Sequence, residues 1–327
     1  GVVIMALATF GDLGVDMVNF HIGELVLGTY VVKAANLLSV DLSNGEIATF
    51  IGFGFQYDGM GSPIAGTVTQ VAETYFGQKV FDISGFSIPA TTFFTWALTD
   101  NTIGAIGTIF KGSDTFVGSN GSDYFHSFTG NDTIDGGTGN DTIAGSDGED
   151  YLRGGDGADL IVGGNDHDDI NGNKGNDNIG GGEGDDWVVG GQDEDYLTGE
   201  NGNDIVYGNL GNDIVLGGNG NDWVRGGQGN DVVEGGDGAD WLWGDRGADT
   251  LTGGAGADLF HSFSGAGIDR VTDFSYAQGD RIILDDRTAY VVSQSGADAV
   301  ITIGGVDQVV LVGVTASSLS ADAIYYA

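Results

Sequence analysis

One register governs the chain from Gly118 to His261. Cut into rows of nine, it runs without insertion or deletion: GGTGNDTIA from Gly136, GGDGADLIV from Gly154, GGNGNDWVR from Gly217, GGAGADLFH from Gly253. Sixteen consecutive rows fit, with aspartate in every sixth place and an apolar residue in every eighth, from Phe125 and Ile134 to Leu251 and Phe260. A fixed short period of this kind is the signature of a solenoid, in which one small unit cannot bury its apolar face alone and does so by stacking on its neighbours.

Each row reads as a tight glycine turn followed by a very short strand, because glycine tolerates the positive φ that such a turn needs. Two rows then close one turn of a flattened coil, and coils stacked roughly 4.8 Å apart make two parallel sheets whose eighth-place side chains face each other in a thin core. The expected fold class is all-β, a parallel β-roll. Aspartates two rows apart fall above one another on one edge: Asp123, Asp141, Asp159, Asp177, Asp195, Asp213, Asp231 and Asp249 on the first, Asp132, Asp150, Asp168, Asp186, Asp204, Asp222, Asp240 and Asp258 on the second. Bare carboxylates so placed repel. A hard divalent cation between them resolves the repulsion, since Ca²⁺ takes six to eight oxygen ligands and accepts carboxylates and carbonyls together. Two edges of eight loops predict on the order of fourteen ions.

The pattern resembles the GGxGxDxUx nonapeptides of the RTX proteins. That resemblance implies a calcium-filled β-roll and export from a Gram-negative bacterium by a type I secretion machinery. Residues 111–117 resemble a degenerate leading row and add Asp114. Some rows depart from the motif: Asp166 and Asp193 stand in the fourth place, Ser127 in the first, and Phe128, Glu200 and Asp245 in the second. Loops at those residues are expected to bind the ion weakly or not at all. From Ser262 the segment GAGIDRVTDFSYAQGDRIIL and the ending LVGVTASSLSADAIYYA resemble the RTX C-terminal cap, whose last several dozen residues carry the export signal. Asp269, Asp273 and Asp280 are candidates for further ligands there, Asp269 and Asp280 foremost.

Charge follows the repeats. Of 48 acidic residues, 31 lie between Gly112 and His261, against 4 of the 10 basic ones. A chain of net charge −38 is a poor partner for nucleic acid. So acidic and glycine-rich a segment should stay unfolded without metal, because self-repulsion meets little burial. Extracellular modules bind calcium at about 10⁻⁴ to 10⁻³ M, so folding is expected outside the cell. There is no cysteine, which removes disulfides and thiolate sites. The opening GVVIMALATFG has no basic residue before its apolar run, a poor signal peptide. No run reaches the ~18 apolar residues of a membrane span.

Residues 1–110 are richer in apolar residues and hold both prolines, Pro63 and Pro89. Ser43-Asn44-Gly45 and Asp58-Gly59-Met60-Gly61 separate strand-like runs, with further runs at KVFDISGFSI and TTFFTWAL. A β-rich, sandwich-like domain is expected at 1–110, the roll at 111–261 and a β cap at 262–327; Met17 to Leu38 reads as either strands or a helix. The pattern from Phe55 through Thr69 resembles N-terminal domains of secreted α-proteobacterial RTX proteins. His21 is the only histidine there, and neither a HExxH helix nor a G-x-S-x-G elbow occurs. Asp12, Asp16, Glu24, Asp41, Asp58, Glu73 and Asp82 offer no spacing that marks a catalytic pair. No enzyme activity is expected.

Places seven and nine point outward. On one face Trp187, Ile205, Trp223 and Trp241 follow one another at eighteen-residue steps, flanked by Tyr207, Arg225 and Trp243; the other carries Tyr196, Ile214, Leu216 and Val232. An exposed aromatic column of this kind is a contact surface, a platform for sugar rings, or ground covered by a flanking domain. The first expectation for function is a calcium-dependent structural subunit that self-assembles into a filament, surface layer or biofilm matrix, with GVVIMALATF able to donate a strand to a neighbour. The alternative is an adhesin holding polysaccharide on Trp187, Tyr207, Trp223, Trp241 and Trp243, and the least favoured is an RTX enzyme.

Overall fold

A computed structural model describes residues 7–9, 29–34, 37–41, 46–57, 63–75, 78–89, 112–118, 120–285 and 289–326. The chain divides into two compact units, Gly1–Arg153 and Gly154–Ala327. TTFFTWAL, His21, Asp12, Asp16, Glu24 and Asp58 lie outside the described residues.

In the first unit the strands Thr29–Ala34, Leu37–Asp41, Glu46–Tyr57, Pro63–Tyr75 and Gln78–Pro89 form an antiparallel meander. The described part of the ambiguous stretch, Thr29–Ala34 and the start of Leu37–Asp41, is therefore strand. Both turn signals fall between paired strands, as hairpin chemistry requires. Leu7–Thr9 pairs antiparallel with Gln78–Pro89 on one side and parallel with Thr115–Val117 on the other. Both edges of Leu7–Thr9 are thus taken within its own chain; the rest of the segment expected to donate a strand, residues 1–6 and 10, lies outside the described residues. Thr115–Val117 in turn pairs with Thr133–Thr138, and Tyr124–His126 with Thr142–Asp147, each parallel and eighteen residues apart.

The second unit holds the longer part of the solenoid. Leu160–Asn165, Asn178–Glu183, Tyr196–Asn201, Ile214–Asn219, Val232–Asp237 and Thr250–Ala255 stack as one parallel sheet. Asp169–Lys174, Trp187–Gln192, Ile205–Leu210, Trp223–Gln228, Trp241–Arg246 and Leu259–Ser262 stack as the other. Each residue pairs with the one eighteen later, so a row keeps one side chain inside for its whole length. The eighth-place residues of both units are buried, from Phe125 to Phe260, at no more than 2% exposure. Burying one Val, Leu or Ile contributes roughly 1.5–3 kcal/mol, so the core is real though one side chain thick.

The turns carry a second ladder. Amides of fifth-place residues donate to the side-chain oxygen eighteen residues earlier: Asn221 N–H to Asn203 at 3.0 Å, Ala239 N–H to Asn221 at 2.9 Å, Asn230 N–H to Asn212 at 2.9 Å. This gives a physical reason for asparagine in that place, since its amide repeats the backbone's own hydrogen-bonding pattern one rung further.

The cap extends both sheets. Ile268–Val271 pairs parallel with Thr250–Ala255 and with Asp307–Leu311, which continues antiparallel through Asp298–Ile303 to Tyr290–Ser295. On the other sheet Arg281–Leu284 and Ile324–Tyr326 add two parallel strands. Closing an open edge in this way protects it from pairing with other chains. Among the described residues the only helical turn is Ala316–Ser318, and no helix is long and apolar enough to cross a membrane.

Candidate metal sites and the outer face of the roll

The glycine pattern places the aspartates. In the second place of the rows glycines take φ of +98° to +137°, and in the fourth +115° to +159°. Every described non-glycine residue with positive φ sits in one of these two places: Phe128, Ser146, Asn173, Glu200, Asn209 and Asp245 in the second, Asp166 and Asp193 in the fourth, all between +69° and +86°. The substituted rows therefore keep the turn but settle in the narrower left-handed well, which Asn and Asp tolerate and which strains Phe128 and Glu200. Ser146, Asn173 and Asn209 also depart from the motif, in the same second place.

The first-place glycine is demanded by space. A Cβ on Gly217 would lie 2.5 Å from Oδ2 of Asp222 and 2.5 Å from the carbonyl oxygen of Gly235; on Gly163 it would lie 2.3 Å from Asp168 Oδ2 and 2.5 Å from Gly181 O. A carboxylate oxygen and a carbonyl oxygen two rows later thus converge on the hollow that the missing side chain leaves. The other carboxylate oxygen is committed. The amide of Asp204 donates to Oδ1 of Asp222 at 2.9 Å, that of Asp222 to Asp240 at 2.9 Å, and that of Asp114 to Asp132 at 2.7 Å. Oδ2 of Asp177, Asp186, Asp195, Asp204, Asp213, Asp222, Asp231, Asp240, Asp249 and Asp258 is buried without a hydrogen-bond donor.

Electrostatics make that arrangement costly in the absence of a cation. Burial pushes the carboxyl of Asp195 up to about 8 and those of Asp177, Asp204 and Asp231 to about 7, against the opposing pull of one backbone amide each, with neighbouring aspartates adding to the rise. Asp186, Asp213, Asp222, Asp240 and Asp258 rise to about 6 for the same leading reason. A buried oxygen with no donor, next to a carbonyl of the following rung, fits a hard oxygen-seeking cation. Among the described residues no three His, Cys, Asp or Glu side chains gather at one point. The donor set is instead one of carboxylate with backbone carbonyl, spread along two edges.

The remaining candidates fall as follows. Asp123, Asp141, Asp150 and Asp159 are buried like the rest, with Asp123 N–H donating to Asp141 at 2.7 Å, Asp132 N–H to Asp150 at 2.7 Å and Asp159 N–H to Asp177 at 2.8 Å. Asp269 and Asp280 prolong the two edges into the cap, accepting from Asp249 N–H at 3.3 Å and Asp258 N–H at 3.2 Å. Asp273 is different: its two oxygens accept from Gly253 and Gly254 N–H at 2.9 and 2.8 Å, which makes it a backbone clasp. At the first row departure, the Ser127 hydroxyl donates to the carbonyl of Gly145 at 2.6 Å, occupying the oxygen that elsewhere faces the carboxylate.

The outer face matches the register. Trp187 and Trp223 are 46% exposed and Trp241 37%. Trp223 and Trp241 stack at 5.3 Å and 14°, and Trp243 leans on both at 5.7 and 5.8 Å. The column does not stop there: His261, eighteen residues after Trp243, packs on it at 5.3 Å. Tyr207, Trp223, Arg225, Trp243, Asp245, His261, Phe263 and Asp285 line a cleft of about 420 Å³. Arg225 holds Asp245 in an ion pair and His261 holds Asp285. His261 is legible in the register as the ninth place of the last row; Phe263 and Asp285 follow from the cap and have no such signal.

Residues 110–143, 144–179, 180–215, 207–242, 216–251 and 234–271 match the family model for the RTX calcium-binding nonapeptide repeat. No curated protein matches the chain. Among solved structures, a subunit of the mannuronan C5-epimerase of Azotobacter vinelandii is 27% identical, covering 41% of this chain and 78% of its own, with a TM-score of 0.29. The extracellular lipase of Serratia marcescens is 17% identical over 66% of this chain and 40% of its own, with a TM-score of 0.25. On the in-register repeats and the family match, residues 110–271 of this chain are RTX calcium-binding nonapeptide repeats.

Proposed function

We propose that the chain is a secreted structural protein that folds on calcium outside the cell and then self-assembles at or beyond the bacterial surface. The sixth-place aspartates, with Asp114, Asp269 and Asp280, would hold the ions, on the order of fourteen along the two edges. Bound calcium would supply positive charge to carboxylates that burial otherwise drives to take up protons, with their oxygens and the neighbouring backbone carbonyls as its ligands. Cytosolic chain is unfolded and suits a type I exporter; calcium outside triggers folding.

The observation that carries assembly is the exposed, in-line apolar surface: Trp187, Trp223 and Trp241 on one sheet, and Tyr196, Ile214 and Val232, each 40% to 43% exposed, on the other. Rigid aromatic rows of this size favour a contact with a second surface. Electron microscopy with sedimentation velocity, in millimolar calcium and in excess chelator, tests it. Ordered polymers only with calcium support the reading; a compact monomer in calcium overturns it.

A second reading, a polysaccharide-binding adhesin without enzymatic activity, is favoured by the cleft beside Trp243. In that case saccharide is retained by calcium-loaded monomer.

A further inference from the structure

We propose that the cleft between Trp223, Trp243 and His261 is a binding site for a neutral saccharide unit. The inference rests on the second reading above and narrows it to one place and one ligand charge. The volume of about 420 Å³ lies within the range of small-molecule sites, roughly 300–1,000 Å³. Its lining is rich in rings: Trp223, Trp243 and His261 pack in series, with centroids 5.7 and 5.3 Å apart, and Tyr207 and Phe263 stand beside them. The apolar face of a sugar ring packs against the faces of such rings, while its hydroxyls lie at the edge where polar groups are needed.

The same lining supplies polar groups, donors and acceptors together. Arg225 donates through Nη2 to Asp245 Oδ1 at 3.1 Å and through Nε to Oδ2, and His261 is paired with Asp285. Carboxylates accept from hydroxyls and the guanidinium donates to them, so a ligand bearing both donors and acceptors is served at once. A cation would meet Arg225, and an anion would meet Asp245 and Asp285 on a chain of net charge −38. The neutral polyhydroxylated ligand is the one that neither repels. The Arg225–Asp245 ion pair and the His261–Asp285 contact also fix these side chains in advance, which lowers the ordering cost of binding.

The test uses the full calcium-loaded chain with a panel of neutral oligosaccharides (linear glucan, galactan and mannan hexamers), a uronic acid hexamer and choline, read by calorimetry and tryptophan emission. At least one neutral hexamer is expected to saturate, and Trp243→Ala to weaken it by roughly tenfold or more, with Arg225→Gln as a second, smaller loss. Leu160→Ala, at an exposed side chain on the opposite sheet and outside the cleft, leaves the affinity unchanged. Circular dichroism in calcium confirms that each variant keeps the roll. No saturation by any neutral hexamer, or saturation by the uronate or choline alone, overturns the proposal. Saccharide binding that survives Trp243→Ala but not Trp187→Ala overturns the cleft while leaving the adhesin reading standing.

Discussion

At the scale of the residue, the first-place glycine and the sixth-place aspartate form one device. The hollow left by Gly217 is where Asp222 Oδ2 and Gly235 O approach, each 2.5 Å from a would-be Cβ. Gly217→Ala must therefore push the carboxylate aside. Overpacking of this kind costs typically 1–3 kcal/mol, and the calcium concentration at the folding midpoint, followed by circular dichroism, is expected to rise. An unchanged midpoint would separate the glycine from the site. The titration of the aspartates has a definite sign. Their folded values, about 6 to 8 for Asp186, Asp177 and Asp195 among others, stand above the ordinary ~3.9 of an unfolded aspartate. Below about pH 4 both states are protonated and there is no penalty; from there to about pH 8 the unfolded chain ionises first, so metal-free stability falls as pH rises. Calcium displaces the same protons, so its affinity rises over that window. Folding in chelator at pH 4.5 and 7.5, and calcium titrations at pH 5.5 and 7.5, should show these opposite trends. Parallel trends would contradict the assignment.

At the scale of the element, a strand of the roll contributes one inward side chain, so a single truncation is felt. Leu197→Ala removes a fully buried side chain and should cost about 2–5 kcal/mol, seen as a lower Tm in calcium. A left-handed backbone costs a non-glycine residue roughly 1–2 kcal/mol. Glu200, at φ +75°, is a place to recover it: Glu200→Gly is expected to raise Tm by a few degrees, and a lower Tm would show that its side chain offsets the strain. Much of this layer is legible in the sequence. A row of nine with aspartate sixth and an apolar residue eighth leaves only one side of the strand for the core, so Leu197 and its counterparts follow from counting. Other features resist counting. In the cap the steps lengthen, so Asp269 lies twenty residues after Asp249 and Asp280 twenty-two after Asp258, and a fixed period cannot tell these edge residues from the clasp Asp273. The cleft resists it too, since Phe263 and Asp285 reach the aromatic column through chain that has left the register.

At the scale of the whole molecule, burial and charge oppose each other. The core is thin, 31 of the 48 acids lie in the repeat segment, and the buried Oδ2 oxygens of residues such as Asp204 and Asp222 lack donors. The folded state of such a chain depends on what binds it, and its stability rises with free calcium by mass action. Folding at neutral pH and metal concentration are then one variable. The most direct measurement is a far-ultraviolet circular dichroism titration of the chain with calcium at pH 7.5, starting from excess chelator, with bound calcium counted by equilibrium dialysis. The account predicts little β signal in chelator and a cooperative gain of β structure as on the order of fourteen ions bind. A full β signal in chelator, or folding with only one or two ions bound, would contradict it.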